Sequence, residues 1–278
     1  MKYKLLAIDM DGTFLNDDRN ISEQNINAVK RIAREGIKVV VCSGRVPFLL
    51  RPILREMPDK QAFIALNGGI IFDDNNKIIY SAEIDENTVF EVIDMLRKNF
   101  DGIYYHFFHG DIACAERFES IIRRYYERNF LLPRENRMDF RILADSKKYI
   151  KENKCKIRKM EIYDDSGVIL CKIKDKLGNL PGIEVVDSGK FGLEITKQGV
   201  NKGTALEILA KHYEFSIDEC IAIGNDGNDL EMIKKAGLGI AVSNAKDYIR
   251  LAANYITERD NNNDAVAEVI DKFIDTPF

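Results

Sequence analysis

Residues 3–13 read YKLLAIDMDGT, an apolar run that ends in Asp9-Met10-Asp11-Gly12-Thr13. The run predicts a buried strand, and the glycine after it predicts a turn. Residues 37–42 predict a second strand, and the segment between the two strands has apolar residues at helical spacing, with Ser22 suited to cap its start and Gly36 its end. The three elements form a β-α-β unit, which is typical of a parallel sheet.

The same alternation of strand and helix patterns continues through the first and last thirds of the chain. It predicts an α/β fold with a doubly wound parallel sheet. Further core elements are predicted as strands at 62–66, 221–223 and 238–242, a hairpin over 70–84, and helices at 47–57, 202–213, 229–236 and 265–274.

The middle third instead has short strands with interspersed helices, which indicates an inserted α+β domain. We therefore predict a core of residues 1–83 plus 189–278, with the insertion at residues 84–188. The insertion is predicted to contain a helix at 86–99 and strands at 102–108, 112–115, 157–163, 183–187 and 191–195.

Composition limits the class of partner. The 278 residues carry 41 basic and 45 acidic side chains, a net charge of −4, which excludes a protein that binds nucleic acid through bulk positive charge. Apolar runs are too short for a signal peptide or a membrane span, and the five cysteines are scattered in a way that suits reduced thiols. These features predict a cytoplasmic protein with neither a nucleic-acid nor a membrane partner; oligomeric state is unspecified.

Asp9 and Asp11 lie at the carboxyl end of the first predicted strand, where open α/β sheets bind their ligands. Since the chain turns at Gly12, both carboxylates can address one point, and the amides of Gly12 and Thr13 can bind an anion. The alternative is an ordinary turn rich in Asp and Gly.

Three further polar segments follow strands or begin helices. In Ser43-Gly44-Arg45 the hydroxyl and the next amide can contact phosphate, although Ser-Gly is also a common turn. Asn67-Gly68-Gly69 ends the third strand in the same way. Lys202 begins a predicted helix, where its ammonium favours an anionic ligand unless it is simply solvated.

The segment Gly224-Asn225-Asp226-Gly227-Asn228-Asp229 offers two Asp and two Asn between a strand and a helix. Their oxygens are hard ligands suited to Mg²⁺. The alternative is an Asx-rich turn in which Asp229 caps the helix.

Taken together and in this order, the four motifs resemble those of the haloacid dehalogenase-like superfamily, in its Cof-type branch of Mg²⁺-dependent phosphatases. Asp9-Met10-Asp11-Gly12-Thr13, Ser43-Gly44-Arg45, Lys202-Gly203 and the segment 224–229 match in order and approximate spacing, and the resemblance covers nearly the whole chain. It implies a Rossmann-like core with an inserted cap domain that sets substrate specificity.

The resemblance also implies a role for each matching residue. Asp9 would be the nucleophile that forms an aspartyl-phosphate, and Asp11 the general acid and base. Gly12, Ser43, Gly44, Lys202 and Asn228 would bind the phosphate, and Arg45 and Asn67 the substrate. Mg²⁺ would be held by Asp9, by the main-chain carbonyl of Asp11 and by the fourth motif, with Asp229 supporting the metal waters or Lys202. An acid at position 11 disfavours dehalogenase activity.

The fourth motif departs from the family pattern. Anchored on Asn228 and Asp229, the ligating aspartate of the family falls at Asn225, and the acid is displaced to Asp226. Either oxygen can bind Mg²⁺ directly, and both assignments stay open.

The predicted activity is Mg²⁺-dependent hydrolysis of a small phosphomonoester of the sugar-phosphate type, so the expected partner is a small phosphorylated metabolite. Two alternatives use the same residues: a phosphomutase or other phosphotransferase, and a non-catalytic sensor of a phosphate ligand.

Other polar residues predict less. His106 and His109 point to opposite faces of a predicted strand, which disfavours a shared metal site. Cys42 is expected to be a buried thiol. The basic run at residues 147–159 predicts a solvated face, or one that steers anionic substrates.

Overall fold

The computed structural model describes residues 2–188 and 190–275. Strands, in chain order, are β1 Leu5–Asp9, β2 Lys38–Cys42, β3 Phe63–Ala65, β4 Ile70–Phe72, β5 Ile78–Ser81, β6 Tyr104–His109, β7 Ile112–Ala115, β8 Asp139–Ile142, β9 Lys159–Tyr163, β10 Ile183–Asp187, β11 Gly192–Lys197, β12 Cys220–Gly224, β13 Leu238–Ala241 and β14 Tyr255–Ile256. Helices are α1 Glu23–Arg34, α2 Pro47–Leu54, α3 Glu86–Asn99, α4 Ser120–Asn129, α5 Ser146–Asn153, α6 Gly167–Leu177, α7 Lys202–His212, α8 Leu230–Lys235, α9 Asp247–Ala252 and α10 Ala265–Phe273. None of the helices in these residues is both long and apolar enough to cross a bilayer.

Two compact units make up the chain. Unit 1 comprises Met1–Arg45, Pro52–Ser81 and Asn201–Phe278, and unit 2 comprises Val46–Arg51 and Ala82–Val200. Each has its own sheet and its own apolar core.

The sheet of unit 1 has the order β14-β13-β12-β1-β2-β3-β4-β5. It is parallel from β14 to β3, and β4 and β5 extend it as antiparallel strands. Leu5 and Ala7 pack in one core with Leu206 of α7, while the alternate residues Leu6 and Ile8 are also fully buried on the other face. Burial of both faces confirms the predicted doubly wound parallel sheet.

Helix α1, which follows β1, begins and ends beside the two residues that the sequence predicts for these positions. Ser22 Oγ accepts a hydrogen bond from the amide of Asn25 at 3.1 Å and so satisfies one of the unpaired N–H groups at the start of α1. Gly36 ends the turn after the helix with φ +92°, a conformation that costs a glycine little. The stripe of Ala28, Val29 and Ile32 is buried.

The sheet of unit 2 has the order β10-β11-β9-β6-β7-β8 and is antiparallel except for the pair β7 and β8. One face packs against α3 and α6 in an apolar core. Strand β11 pairs with β9 and β10 in this sheet, so unit 2 continues to Val200. The predicted border at residue 188 is therefore too early, because it separates β11 from its hydrogen-bonding partners.

Three helices of unit 2 are absent from the predicted elements. In α4 only Ile122 is buried and the other apolar side chains are partly exposed, so the apolar stripe of that helix is short. The signal for α6 was present: Ser166 Oγ accepts from the amide of Ile169, and Leu170, Ile173 and Leu177 recur on one buried face.

Candidate active site

The polar segments that follow β1, β2 and β12 lie at the same edge of the unit 1 sheet. In the parallel register Asp9 pairs with Cys42 and Ile8 pairs with Ile223, so the three strands end at nearly the same level. Their loops consequently converge at the carboxyl edge, where the sequence analysis expects a ligand.

Lys202 is at the centre of this edge and is fully buried. Its Nζ donates to Asp9 Oδ1 at 2.5 Å and to Asp229 Oδ1 at 2.6 Å. A buried ammonium is stable only when it is paired and hydrogen-bonded, and these two carboxylates provide the pairing. The alternative of a solvated lysine is therefore wrong.

Asp229 connects Lys202 to the loop after β12. Its Oδ2 accepts hydrogen bonds from the amides of Asn225 at 2.9 Å and Asp226 at 3.0 Å, while its Oδ1 binds the ammonium. One buried carboxylate thus fixes both the loop backbone and the lysine.

The charges of this buried cluster perturb its protonation. Burial, followed by the negative charge of Asp229, raises the pKa of Asp9 to about 7, although Lys202 opposes the shift. Burial by itself would lower the pKa of Lys202, but the carboxylates of Asp229 and Asp9 outweigh it and raise that pKa. Two carboxylates thus share one ammonium, an arrangement that favours a further cation.

Asp11 points toward Arg45. The guanidinium Nε donates to Asp11 Oδ2 at 2.8 Å, and Nη2 donates to Oδ1, which makes a two-bonded pair. The Asp11 side chain is 57% exposed and that of Arg45 22%. The first and second motifs are therefore linked through their charged side chains.

The segments after β2 and β3 are bound to each other through the backbone. The amide of Asn67 donates to Ser43 O at 3.0 Å, and that of Leu66 donates to Arg45 O at 3.0 Å. A Cβ at Gly44 would lie 2.9 Å from Asn67 Oδ1, which is why glycine suits this position.

Asn67 also brings in the fourth motif, since its Oδ1 accepts a hydrogen bond from Asn228 Nδ2 at 3.0 Å. Its φ of +54° is in the left-handed region, which asparagine adopts more readily than most residues. Ser43, Gly44, Asn67 and Asn228 thus lie together.

The two candidate metal ligands of the fourth motif face different neighbours. Asp226 Oδ1 pairs with Lys246 Nζ at 2.6 Å and accepts from the amide of Gly227 at 2.5 Å. Asn225 instead faces the loop after β1: its Oδ1 accepts from Thr13 Oγ1 at 3.3 Å, and its amide group packs closely against Gly12. Residues 2–188 and 190–275 contain no group of three or more His, Cys, Asp or Glu side chains that could hold a metal ion.

Asn244 is a contact of the site that the sequence analysis missed. Its Nδ2 donates to the carbonyl of Gly12 at 2.9 Å and so fixes the turn after β1. Asn244 follows β13, the next parallel strand in the sheet, and that position at the carboxyl edge was the available signal.

Two other expectations have clear outcomes. Cys42 is buried, and burial raises the pKa of its thiol to about 12, which keeps it protonated and unreactive.

The basic run at 147–159 is not uniformly solvated, because Lys159 is buried and its Nζ pairs with Glu161 at 2.6 Å and Glu194 at 3.0 Å.

Comparison with known proteins gives concordant matches. Residues 6–270 match the family model of haloacid dehalogenase-like hydrolases. The chain is 27% identical over 267 residues to 5-amino-6-(5-phospho-D-ribitylamino)uracil phosphatase YcsE of Bacillus subtilis, covering 96% of this chain and 94% of that protein. It is 26% identical to phosphoglycolate phosphatase of Methanosarcina mazei, covering 97% and 96%. A solved haloacid dehalogenase-like hydrolase from Bacteroides thetaiotaomicron superposes with a TM-score of 0.84 at 30% identity, covering 98% of this chain and 100% of that one.

Proposed function

Since the chain belongs to the haloacid dehalogenase-like hydrolase family and its phosphatase relatives identify it as a phosphoric monoester hydrolase, we propose that it hydrolyses small phosphomonoesters of the sugar-phosphate type with Mg²⁺. The reaction would pass through an aspartyl-phosphate on Asp9. The observation that supports this most is the buried ammonium of Lys202 between Asp9 and Asp229 at the carboxyl edge of the sheet.

Asp9 is proposed as the nucleophile. Lys202 binds its Oδ1 and so fixes the carboxylate at the end of β1, with Oδ2 left to attack phosphorus. Covalent catalysis divides one difficult hydrolysis into two displacements, and a rotationally fixed carboxylate lowers the entropic cost of the first.

Asp11 is proposed to protonate the leaving oxygen and then to deprotonate the attacking water. In its pair with Arg45 both oxygens of the Asp11 carboxylate accept hydrogen bonds from the guanidinium. Donation to a leaving group therefore requires the pair to open. A phosphoryl group is itself a strong partner for a guanidinium, so we propose that substrate takes Arg45 from Asp11.

The phosphoryl oxygens would be bound by groups that the structure brings close to one another. Asn67 lies beside the Ser43 hydroxyl, the Gly44 amide and the Asn228 amide. We assign those three groups to the phosphate and Asn67 to the rest of the substrate. Gly12 and Lys202 complete the predicted set from the β1 turn and the start of α7.

The residues present fit a hard divalent cation. Asp9 supplies a carboxylate, and with Asp229 it gives the cluster two carboxylates for the one ammonium of Lys202. Asn225 supplies a neutral amide oxygen that faces Thr13 in the turn after β1. Asp226 is engaged by Lys246, so we propose Asn225 as the direct ligand, with Asp9 and the Asp11 carbonyl. When bound, Mg²⁺ supplies charge that screens the repulsion between the nucleophile and the phosphate.

We further propose a small phosphorylated metabolite as the partner and the cytoplasm as the place of action. All five cysteines are free thiols, four of them buried, which suits a reducing compartment.

Phosphate release from a broad panel of phosphomonoesters, with Mg²⁺ and with a chelator, tests the proposal. We expect metal-dependent release that Asp9→Asn abolishes and that the matched change at the exposed Asp18, Asp18→Asn, leaves intact. Absence of release from every substrate, or full activity in Asp9→Asn, would refute it. A phosphomutase would give isomerised product in place of free phosphate, and a sensor would bind an aryl phosphate without turnover.

A further inference from the structure

Strand β8 lies at one edge of the unit 2 sheet, where it pairs in parallel with β7. The amide of Leu143, just after β8, donates to Ala115 O across that pair at 2.8 Å. Main-chain groups alternate in direction along a strand, so those of Phe140 and Ile142 point away from β7 toward the outer edge. A sheet edge of this kind presents amides and carbonyls that can bond a strand of another chain.

The open part of this edge is short. The side chain of Asn129 bonds both main-chain groups of Met138: its Nδ2 donates to the carbonyl at 2.8 Å, and its Oδ1 accepts from the amide at 3.0 Å. Pairing with another strand can therefore use only residues 139–142. Because so few main-chain bonds hold a partner weakly, the surface beside the edge has to contribute.

An exposed group of aromatic and apolar side chains lies beside the edge. Phe140 of β8 contacts Phe118 and Tyr126, with ring centroids 6.0 Å apart in each case, and Tyr126 contacts Phe130 at 5.0 Å. Phe130 is 70% exposed and the adjacent Leu131 85%. We call these five residues the aromatic patch. A continuous exposed surface of this composition is typical of a protein–protein interface.

The charged residues of β8 flank Phe140 symmetrically. Asp139 and Arg141 are exposed on the strand face opposite Phe140, where the Arg141 guanidinium lies 5.9 Å from the centre of the Tyr149 ring. Neither residue is in an ion pair within the part of the chain that the structure describes. Opposite charges on either side of a central residue are complementary to the same strand running in the opposite direction.

We propose that β8 pairs with β8 of a second copy of this chain, antiparallel and about a two-fold axis at Phe140. This register places Asp139 opposite Arg141 of the second copy, and Arg141 opposite Asp139 of that copy, so that all four charges are paired. Phe140 lies opposite its own copy, where the two main chains exchange both of their N–H···O bonds. An axis at Asp139 or at Arg141 would instead place like charges opposite each other, which is destabilising.

The same pairing brings the two aromatic patches together. Residues directly opposite each other in a sheet share a face, so the patch of each copy lies beside the axis on one face of the joined sheets. Burial of these rings supplies the apolar contact that the short run of main-chain bonds lacks. The two six-stranded sheets then form one continuous sheet. Since each copy contributes the same surface, the assembly closes as a dimer.

Sedimentation velocity of the full-length chain tests the inference without any turnover, so its failure is distinct from failure of the proposed function. At a chain concentration of about 100 μM, above the micromolar range of weak interfaces, we expect a dimer. Asp139→Arg and Arg141→Asp should each raise the dissociation constant about tenfold or more, because symmetry makes each substitution repel at two places. Asp175→Arg reverses an exposed charge of α6 in the same unit and is the matched control that should leave the constant unchanged.

Exchange of the two charges tests the register itself. The double variant Asp139→Arg with Arg141→Asp again has opposite charges at every pair and should dimerise like the wild type. A mixture of the two single variants should form a heterodimer although each alone is impaired, because one then carries two basic residues and the other two acidic ones. Substitutions that merely disturb β8 would give neither result. Phe130→Ser should weaken the dimer without lowering the melting temperature, because that ring is mostly exposed.

The inference is overturned if the wild type stays monomeric at about 100 μM, which would leave a different protein as the occupant of this edge. It is also overturned if the wild type and all the variants dimerise with the same dissociation constant, because the interface would then lie elsewhere on the chain.

Discussion

Lys202→Met removes the ammonium of the buried cluster and nearly keeps the side-chain volume. Asp9 and Asp229 each bond the same nitrogen, at 2.5 and 2.6 Å, so their carboxylate oxygens lie within about 5 Å of each other. At an effective dielectric constant of about 20, two unit charges at that distance repel by roughly 3 kcal/mol. Loss of one partner from a buried ion pair typically costs about 3–5 kcal/mol. We expect the free energy of unfolding to fall by an amount in this range at pH 9, and by less at neutral pH, where Asp9 can take up a proton because its pKa is already about 7 with the ammonium present.

Urea unfolding followed by circular dichroism measures the change. Lys246→Met is the matched control, because it removes a lysine from a partly exposed pair with Asp226 and should cost no more than about 1 kcal/mol. Adding Asp229→Asn to Lys202→Met should recover part of the loss, since it removes one of the two uncompensated charges. A Lys202→Met variant as stable as the control, with no recovery in the double variant, would refute the reasoning.

Three further outcomes follow from the geometry. Asn225→Ala should raise the Mg²⁺ concentration for half-maximal phosphate release about tenfold or more, while Asp226→Ala should leave it nearly unchanged; the reverse result would assign the metal to Asp226. Arg45→Ala should raise KM more than it lowers kcat, and Arg45→Lys should recover only part of the loss because lysine cannot form a two-bonded contact; an unchanged KM would mean that Arg45 serves Asp11 alone. His106 has a folded-state pKa near 4 against 6.5 ordinarily, so the unfolded chain binds more protons between these values. Stability should therefore fall by up to about 3 kcal/mol as the pH drops from about 6.5 to about 4, and His106→Phe should lessen that fall in urea titrations; identical pH slopes would contradict it.

The sequence predicted most of what depends on strand order. Asp9, Ser43 and Asn225 follow apolar strands, and parallel pairing alone is enough to bring strand ends to one edge. Lys202 could be placed near that edge as the first residue of a helix. Its burial between two carboxylates could not be read from the sequence, because Asp229 is distant from Asp9 along the chain.

The remaining differences concern the direction in which side chains point. Whether Asn225 or Asp226 faces the β1 turn depends on Lys246, which lies in another loop and pairs with Asp226. Lys159 looked like one member of a solvated basic run, yet alternation along β9 turns it inward toward Glu194 of β11. A sequence pattern gives the face of a strand, whereas the partner on the neighbouring strand requires the register.

The central claim is that Asp9 becomes phosphorylated. In Asp11→Asn the water-activating group is lost, so an aryl phosphate, which needs little help to leave, should phosphorylate Asp9 faster than the intermediate is hydrolysed. Mass spectrometry of the acid-quenched protein should then find one phosphoryl group on the peptide that contains Asp9, and none in the double variant Asp9→Asn with Asp11→Asn. Phosphate release without a modified peptide, or a phosphoryl group on any other residue, would contradict the account.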